Sequence, residues 1–209
     1  MDLTKLATTE LGHYIDDRLK ADLPGETAHS YMAPSGRILR IQQTITPRES
    51  AVLIGLYPNP EWKTCFIQRP QYDGVHSGQI AFPGGGQEQQ DLDIIDTALR
   101  EAHEEVNIDP RDVDVKGILS PIYIPPSNYR VTPVIGIMEQ KPDFYAQPSE
   151  VENIIEVPLD KLMNHGTIVE KSFYKGTDKE VIAPCFNING TIIWGATAMI
   201  LYEFISVLK

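Results

Sequence analysis

Apolar positions recur along this chain in two periods, and the switches between them mark its elements. Leu11, Ile15 and Leu19 share one face of a helix predicted over residues 4–20, with Pro24 and Gly25 ending it. Residues 25–50 follow neither period, and Pro34, Ser35 and Gly36 mark a turn inside them. Runs at 51–57 and 64–69 read as strands, joined across Pro58, Asn59, Pro60 and Glu61 by a hairpin or short loop. Residues 69–79 are too polar and too rich in glycine for an element. The run Phe82, Pro83, Gly84, Gly85, Gly86 excludes regular helix or central strand, since Pro lacks a backbone donor and Gly readily takes positive φ. A helix follows it. Asp91 is its predicted N-cap, Ile95, Ala98, Leu99, Ala102 and Val106 form its apolar stripe, and Asn107 suits the left-handed residue that stops it.

Beyond that helix the period returns to two. Residues 113–124 and 130–138 are strand-rich and flank a turn at 125–128, and residues 141–148 form a polar loop. Residues 154–157 read as a strand, and Pro158 opens a short helix from its first helical position. Asn189-Gly190 between residues 181–188 and 191–194 is the strongest hairpin signal in the chain. Ala198, Ile200, Leu201, Phe204 and Ile205 place a final helix over 196–207.

Composition narrows the class. A hydrophobic content of 42% and a charged content of 22% suit a folded globular protein, and 209 residues favour one domain, 1–209. The net charge of −11 argues against a nucleic-acid or anionic membrane partner. An anionic small molecule would need a local positive centre. Cys65 and Cys185 lie in apolar, strand-like runs and read as buried, reduced thiols of a cytoplasmic protein. Residues 1–14 lack a signal-like apolar core, no run reaches membrane-spanning length, and residues 206–209 are not a peroxisomal address. The N-terminal helix is a packing element or the contact of a possible homodimer.

Glu101, Glu104 and Glu105 fall at i, i+3 and i+4, opposite the apolar stripe. Their carboxylates repel unless a cation sits between them. A hard divalent ion such as Mg²⁺ takes carboxylate oxygens and fits. The Gly-rich turn ahead of the helix offers backbone groups to the metal and to phosphates. The plainer reading is the solvated acidic face of a surface helix. One register joining the Gly-rich turn, the helix start and Arg-Glu-Ala-His-Glu-Glu favours the metal.

The stretch Arg100, Glu101, Ala102, His103, Glu104, Glu105, Val106, Asn107, Ile108 resembles the end of the Nudix box, the signature of Mg²⁺-dependent hydrolases of nucleoside diphosphates linked to another moiety. The box usually has Gly where Asn107 stands, and its mid-box acid is met here by Asp91, one residue early. That spacing, from Phe82-Pro83-Gly84-Gly85 through Asp91 to Thr97 and Glu101, is similar to coenzyme A diphosphatase-like members. Arg69, His76 and Gly78 keep the frame of that subfamily's second motif, while Pro70 and Gly74 replace its Ser and second Arg. Val131-Thr132-Pro133-Val134 and Trp194-Gly195-Ala196-Thr197-Ala198 extend the likeness.

The resemblance implies an α+β Nudix fold, an α/β/α sandwich with a mixed β-sheet between helices, whose box spans 85–108. It implies Mg²⁺ or Mn²⁺ on Glu101, Glu104 and Glu105, and Arg100 orienting a box carboxylate. A box glutamate or a later acid serves as general base, Glu150 ahead of Glu152. Arg69, His76, Gly84 and Gly85 are the implied substrate contacts. The implied reaction splits coenzyme A or acyl-coenzyme A into 4′-phosphopantetheine and adenosine 3′,5′-bisphosphate. Other nucleoside diphosphate derivatives such as ADP-ribose, and a non-catalytic nucleotide-binding module, are the alternatives. With Gly74 in place of Arg, either another cation such as Arg130 or Lys175 meets the 3′-phosphate, or the substrate lacks one.

Overall fold

The computed structural model describes residues 3–37, 46–71, 77–177 and 180–209, so the motif positions Gly74 and His76 lie outside the described residues. Its centre is β1 (Arg48–Pro58). Along one side β1 runs parallel to β7 (Tyr129–Ile137), from Arg48 opposite Tyr129 to Leu56 opposite Ile137. Along the other side it is shared. Its C-terminal end pairs antiparallel with β2 (Trp62–Gln68), as the hairpin signal predicts, and Ser50, Ala51 and Val52 pair with β4 (Gly84–Gly86). The Gly-rich run therefore forms a short strand beside β1, contrary to its reading as turn alone.

β3 (Ile80–Ala81) and β8 (Asn153–Pro158) flank β2, while β5 (Asp114–Ile118) and β6 (Ile122–Ile124) pair with β7, completing an eight-stranded mixed sheet. Successive β1 side chains point to opposite faces. Ala51, Leu53 and Tyr57 pack with Ala98, Ala102 and Val106 of α3 (Ile94–Val106). Ile54 and Leu56 pack into a larger core with α1 (Thr8–Arg18), α2 (Gly25–Met32) and α5 (Gly195–Val207). The result is the α/β/α sandwich with a mixed sheet. A second sheet of β9 (Ile168–Phe173), β10 (Val181–Ile188) and β11 (Thr191–Trp194) is antiparallel. Asn189 and Gly190 form its two-residue turn, both at positive φ as that hairpin type requires.

Several boundaries differ from the sequence reading. The first helix is split into a 3₁₀ turn at Leu3–Lys5 and α1, and Pro24-Gly25 begins α2 rather than closing α1. α2 is held by the buried Glu203, which accepts the Gly25 N–H at 3.1 Å and lies 2.8 Å from His29. The N-cap of α3 is Asp93, whose carboxylate accepts from the Ile95 and Asp96 N–H groups. Asp91 is occupied elsewhere. Pro158 caps α4 (Leu159–Met163) from outside it instead of occupying its first turn. Asn107 takes the left-handed stop at φ 61°.

Candidate active site

β4 lies against α3, and this contact builds the site. Gly84 donates its N–H to Glu105 Oε2 at 2.8 Å. No side chain fits at Gly84, because a Cβ there would collide with the Ala51 carbonyl and the Val52 backbone. At Gly85 a Cβ would stand 2.5 Å from the Glu101 carboxyl group. The glycines thus let a strand approach two helix carboxylates at backbone distance.

The three helix glutamates part company here. Glu105 is 1% exposed, and burial pushes its carboxyl up to about 7, against the pull of the Gly84 N–H and of Arg69. Burial also raises Glu101, partly opposed by Arg100. Glu104 turns outward to a side-chain exposure of 55% and bonds Arg100 Nη1 at 2.9 Å. The third carboxylate beside Glu101 and Glu105 is Glu150, and one ligand oxygen from each lies within 4.8 Å of the others. Glu150 reaches this place from a loop tied to α3, where Gln147 N–H donates to the Glu105 carbonyl at 2.9 Å. Val151, buried in the α3 core, fixes the loop one residue further on.

Arg100 organises the rim. Its Nε and Nη2 grip Asp91 at 2.8 and 3.0 Å, Nη2 also donates to the Gly86 carbonyl at 3.0 Å, and Nη1 lies 3.1 Å from Glu101. The Asp91 side chain is 1% exposed, and the Arg100 bond holds its carboxyl well below the usual carboxylate range. It also accepts from the Thr97 hydroxyl and the Glu88 N–H. The one-residue shift of this acid thus has a geometric use. Asp91 locks the guanidinium that touches both Glu101 and Glu104.

Glu101, Glu105 and Glu150 open onto a cavity of about 1100 Å³, whose wall includes Arg69, Arg37 and Trp194. Arg69 Nη2 sits 3.4 Å from the Gly84 carbonyl oxygen. Trp194 stacks on Phe173 with ring centroids 4.0 Å apart. Among the described residues lining the cavity the cations are Arg37 and Arg69. Arg37 is absent from the sequence reading. The turn ahead of it is legible, but its destination is set by tertiary packing. Arg130 is taken by Glu49, with nitrogens 2.8 and 2.9 Å from its carboxylate, and Lys175 is exposed and does not line the cavity.

The donor set fits a hard divalent cation. Three carboxylates converge, one of them buried, and oxygen donors of this kind are what Mg²⁺ or Mn²⁺ takes. No helix among the described residues is long and apolar enough to cross a membrane.

A mixed sheet between helices, with an acidic cluster where a Gly-rich strand meets a helix, is an arrangement suited to holding a divalent ion against phosphates. Residues 47–175 match the NUDIX domain. The chain is 35% identical over 162 residues to the uncharacterized Nudix hydrolase NudL of Escherichia fergusonii, covering 78% of this chain and 83% of the relative. NudL of Shigella boydii serotype 4 matches with the same identity and coverage. The crystal structure of a MutT/nudix family protein from Enterococcus faecalis superposes over 95% of this chain and 73% of its own, with a TM-score of 0.54 and 17% identity, a likeness of fold. The chain belongs to the NUDIX family. It is a pyrophosphatase of that family, whose members act on nucleoside diphosphate derivatives and generally use divalent metal ions.

Proposed function

We propose that this enzyme hydrolyses the diphosphate of coenzyme A or an acyl-coenzyme A to 4′-phosphopantetheine and adenosine 3′,5′-bisphosphate. One observation carries the reading. Segments far apart in the chain that resemble coenzyme A diphosphatases contribute Arg69, Gly84, Gly85, Val131 and Trp194 to one cavity with Glu101, Glu105 and Glu150. A generic Nudix box would explain Gly85, Glu101 and Glu105, but not the convergence of the others.

Glu101 and Glu105 would hold the divalent ion, Mg²⁺ or Mn²⁺, close to Glu150. When bound, the ion neutralises diphosphate charge and lowers the pKa of water. The chain's own groups do the rest. Gly84 N–H fixes Glu105, and Arg100 fixes Glu101, so neither reorganises during the reaction. Arg69 presents a guanidinium to the diphosphate. Glu150, the exposed member of the cluster, accepts the proton of the attacking water. The new P–O bond forms as the bridging P–O bond breaks, and the leaving phosphate carries away the electron pair. Glu104 steers Arg100 from the rim.

The test compares kcat/KM for coenzyme A, acetyl-coenzyme A and ADP-ribose with saturating Mg²⁺ or Mn²⁺, with products identified by mass. The expected outcome is a preference for the coenzyme A compounds with release of adenosine 3′,5′-bisphosphate. A preference for ADP-ribose would overturn the coenzyme A reading and leave diphosphate hydrolysis standing.

A further inference from the structure

Resting on the coenzyme A reading, we propose that Arg37 is a specificity-determining residue that binds a second phosphate of the substrate, a monoester remote from the scissile diphosphate. Arg37 follows the Pro34-Ser35-Gly36 turn, which its own N–H closes onto the Pro34 carbonyl at 3.1 Å. Its Nη2 donates to the Tyr123 carbonyl on β6 at 2.9 Å, and the residue lines the same cavity as the carboxylate cluster. The guanidinium has no carboxylate partner among the described residues, in a chain of net charge −11 where acids are plentiful. Its Nε is buried and without a hydrogen-bond partner among them. A half-buried guanidinium whose Nε is buried and unpartnered gains when an anion completes its bonds, and the planar fork of Arg matches a phosphate.

Position selects which anion. Tyr123 faces Arg130 on β7, Arg130 faces Glu49 on β1, and the Glu49 carbonyl accepts from Gln87, the residue after β4. The anchor of Arg37 is thus three strand spacings, about 14 Å, from the strand that cradles Glu105. A diphosphate held at the carboxylates would use Arg69, which bonds the Gly84 carbonyl on that strand. Arg37 serves a separate negative group on the same ligand. In the proposed substrate that group is the 3′-phosphate of the ribose. Arg37 thereby supplies the charge that the Gly74 position of the motif does not.

The experiment measures kcat/KM of the wild-type protein, Arg37→Ala and Arg37→Lys on coenzyme A, 3′-dephospho-coenzyme A and ADP-ribose at saturating Mg²⁺. Wild type should prefer coenzyme A to its dephospho form. Arg37→Ala should lose about 10- to 100-fold on coenzyme A while staying within about twofold on the dephospho compound, the range for a charge-assisted hydrogen bond. Arg37→Lys should fall between, keeping charge without the fork, and it carries the test if the alanine variant does not fold. Equal losses on both coenzyme A compounds would show a structural role and overturn the proposal. So would an unchanged preference in Arg37→Ala, or a wild type blind to the 3′-phosphate. Wild-type preference for ADP-ribose would instead sink the coenzyme A reading on which the proposal rests.

Discussion

Glu101, Glu104 and Glu105 are identical in chemistry and distinct in circumstance, and the difference makes predictions. Glu105 is sealed under β4 and fixed by a backbone N–H, whereas Glu104 reaches the site through Arg100 alone. Glu105→Gln keeps the shape and the Gly84 hydrogen bond but removes a ligand charge. Its turnover at saturating Mg²⁺ should fall by more than about 100-fold, beyond what outer-shell changes cost. Glu104→Gln should cost less than that. Steady-state kinetics on both variants decide the matter, and the reverse order would move the ion toward Glu104. Glu150→Gln should lower kcat by about 10²–10⁴-fold with little change in KM, as loss of a general base does. A loss below tenfold would return the base to a box glutamate, Glu101 first.

At the scale of elements, the contact between β4 and α3 is braced by an ion pair beside it. Asp91 is nearly sealed and its carboxylate is gripped by Arg100, which also holds the Gly86 carbonyl. Arg100→Gln would leave a buried carboxylate unpaired, and urea unfolding should show a loss of about 3–5 kcal/mol. A loss under about 1 kcal/mol would mean that Asp91 is not buried in solution. The same contact explains what could be read beforehand. The α3 stripe, its Asn107 stop, the hairpin after β1 and the Asn189-Gly190 turn are local devices, so short stretches disclose them. The cap of α3 falls at Asp93 rather than Asp91 because two aspartates compete within three positions, and Arg100, a full helix turn or more inside α3, settles which is free. α2 escaped because its anchor, Glu203, comes from the far end of the chain. Glu150 could be named as an acid in a loop, but its arrival beside Glu105 rests on Gln147 and Val151. Arg37 had no local signature at all.

For the molecule as a whole, the buried acid makes stability depend on pH and metal together. Glu105 has its folded value raised from the usual 4.5 to about 7, so between these values the folded protein holds a proton that the unfolded chain has released. Its contribution is complete below pH 4.5 and is lost as pH rises through about 7, amounting to about 3 kcal/mol in the metal-free protein. Asp91 acts in the opposite sense. Its value is lowered, so its stabilisation is present above the usual 3.8 and is lost only in stronger acid. Metal-free protein in chelator should therefore melt at falling temperatures from pH 5 to pH 7.5. Other carboxylates also ionise at the low end of this range, adding repulsion in a chain of net charge −11, so the slope alone does not identify its source. Glu105→Gln isolates it, because that variant keeps nearly the same background of charge and lacks the buried titration. Its melting temperature in chelator should change much less over the window and should exceed that of wild type at pH 7.5. Mg²⁺ should raise the wild-type melting temperature more at pH 7.5 than at pH 5, since at low pH the ion must displace a proton. In Glu105→Gln most of that increment should vanish. A variant that kept both the wild-type slope and the wild-type response to Mg²⁺ would show that Glu105 is neither the buried acid nor a ligand.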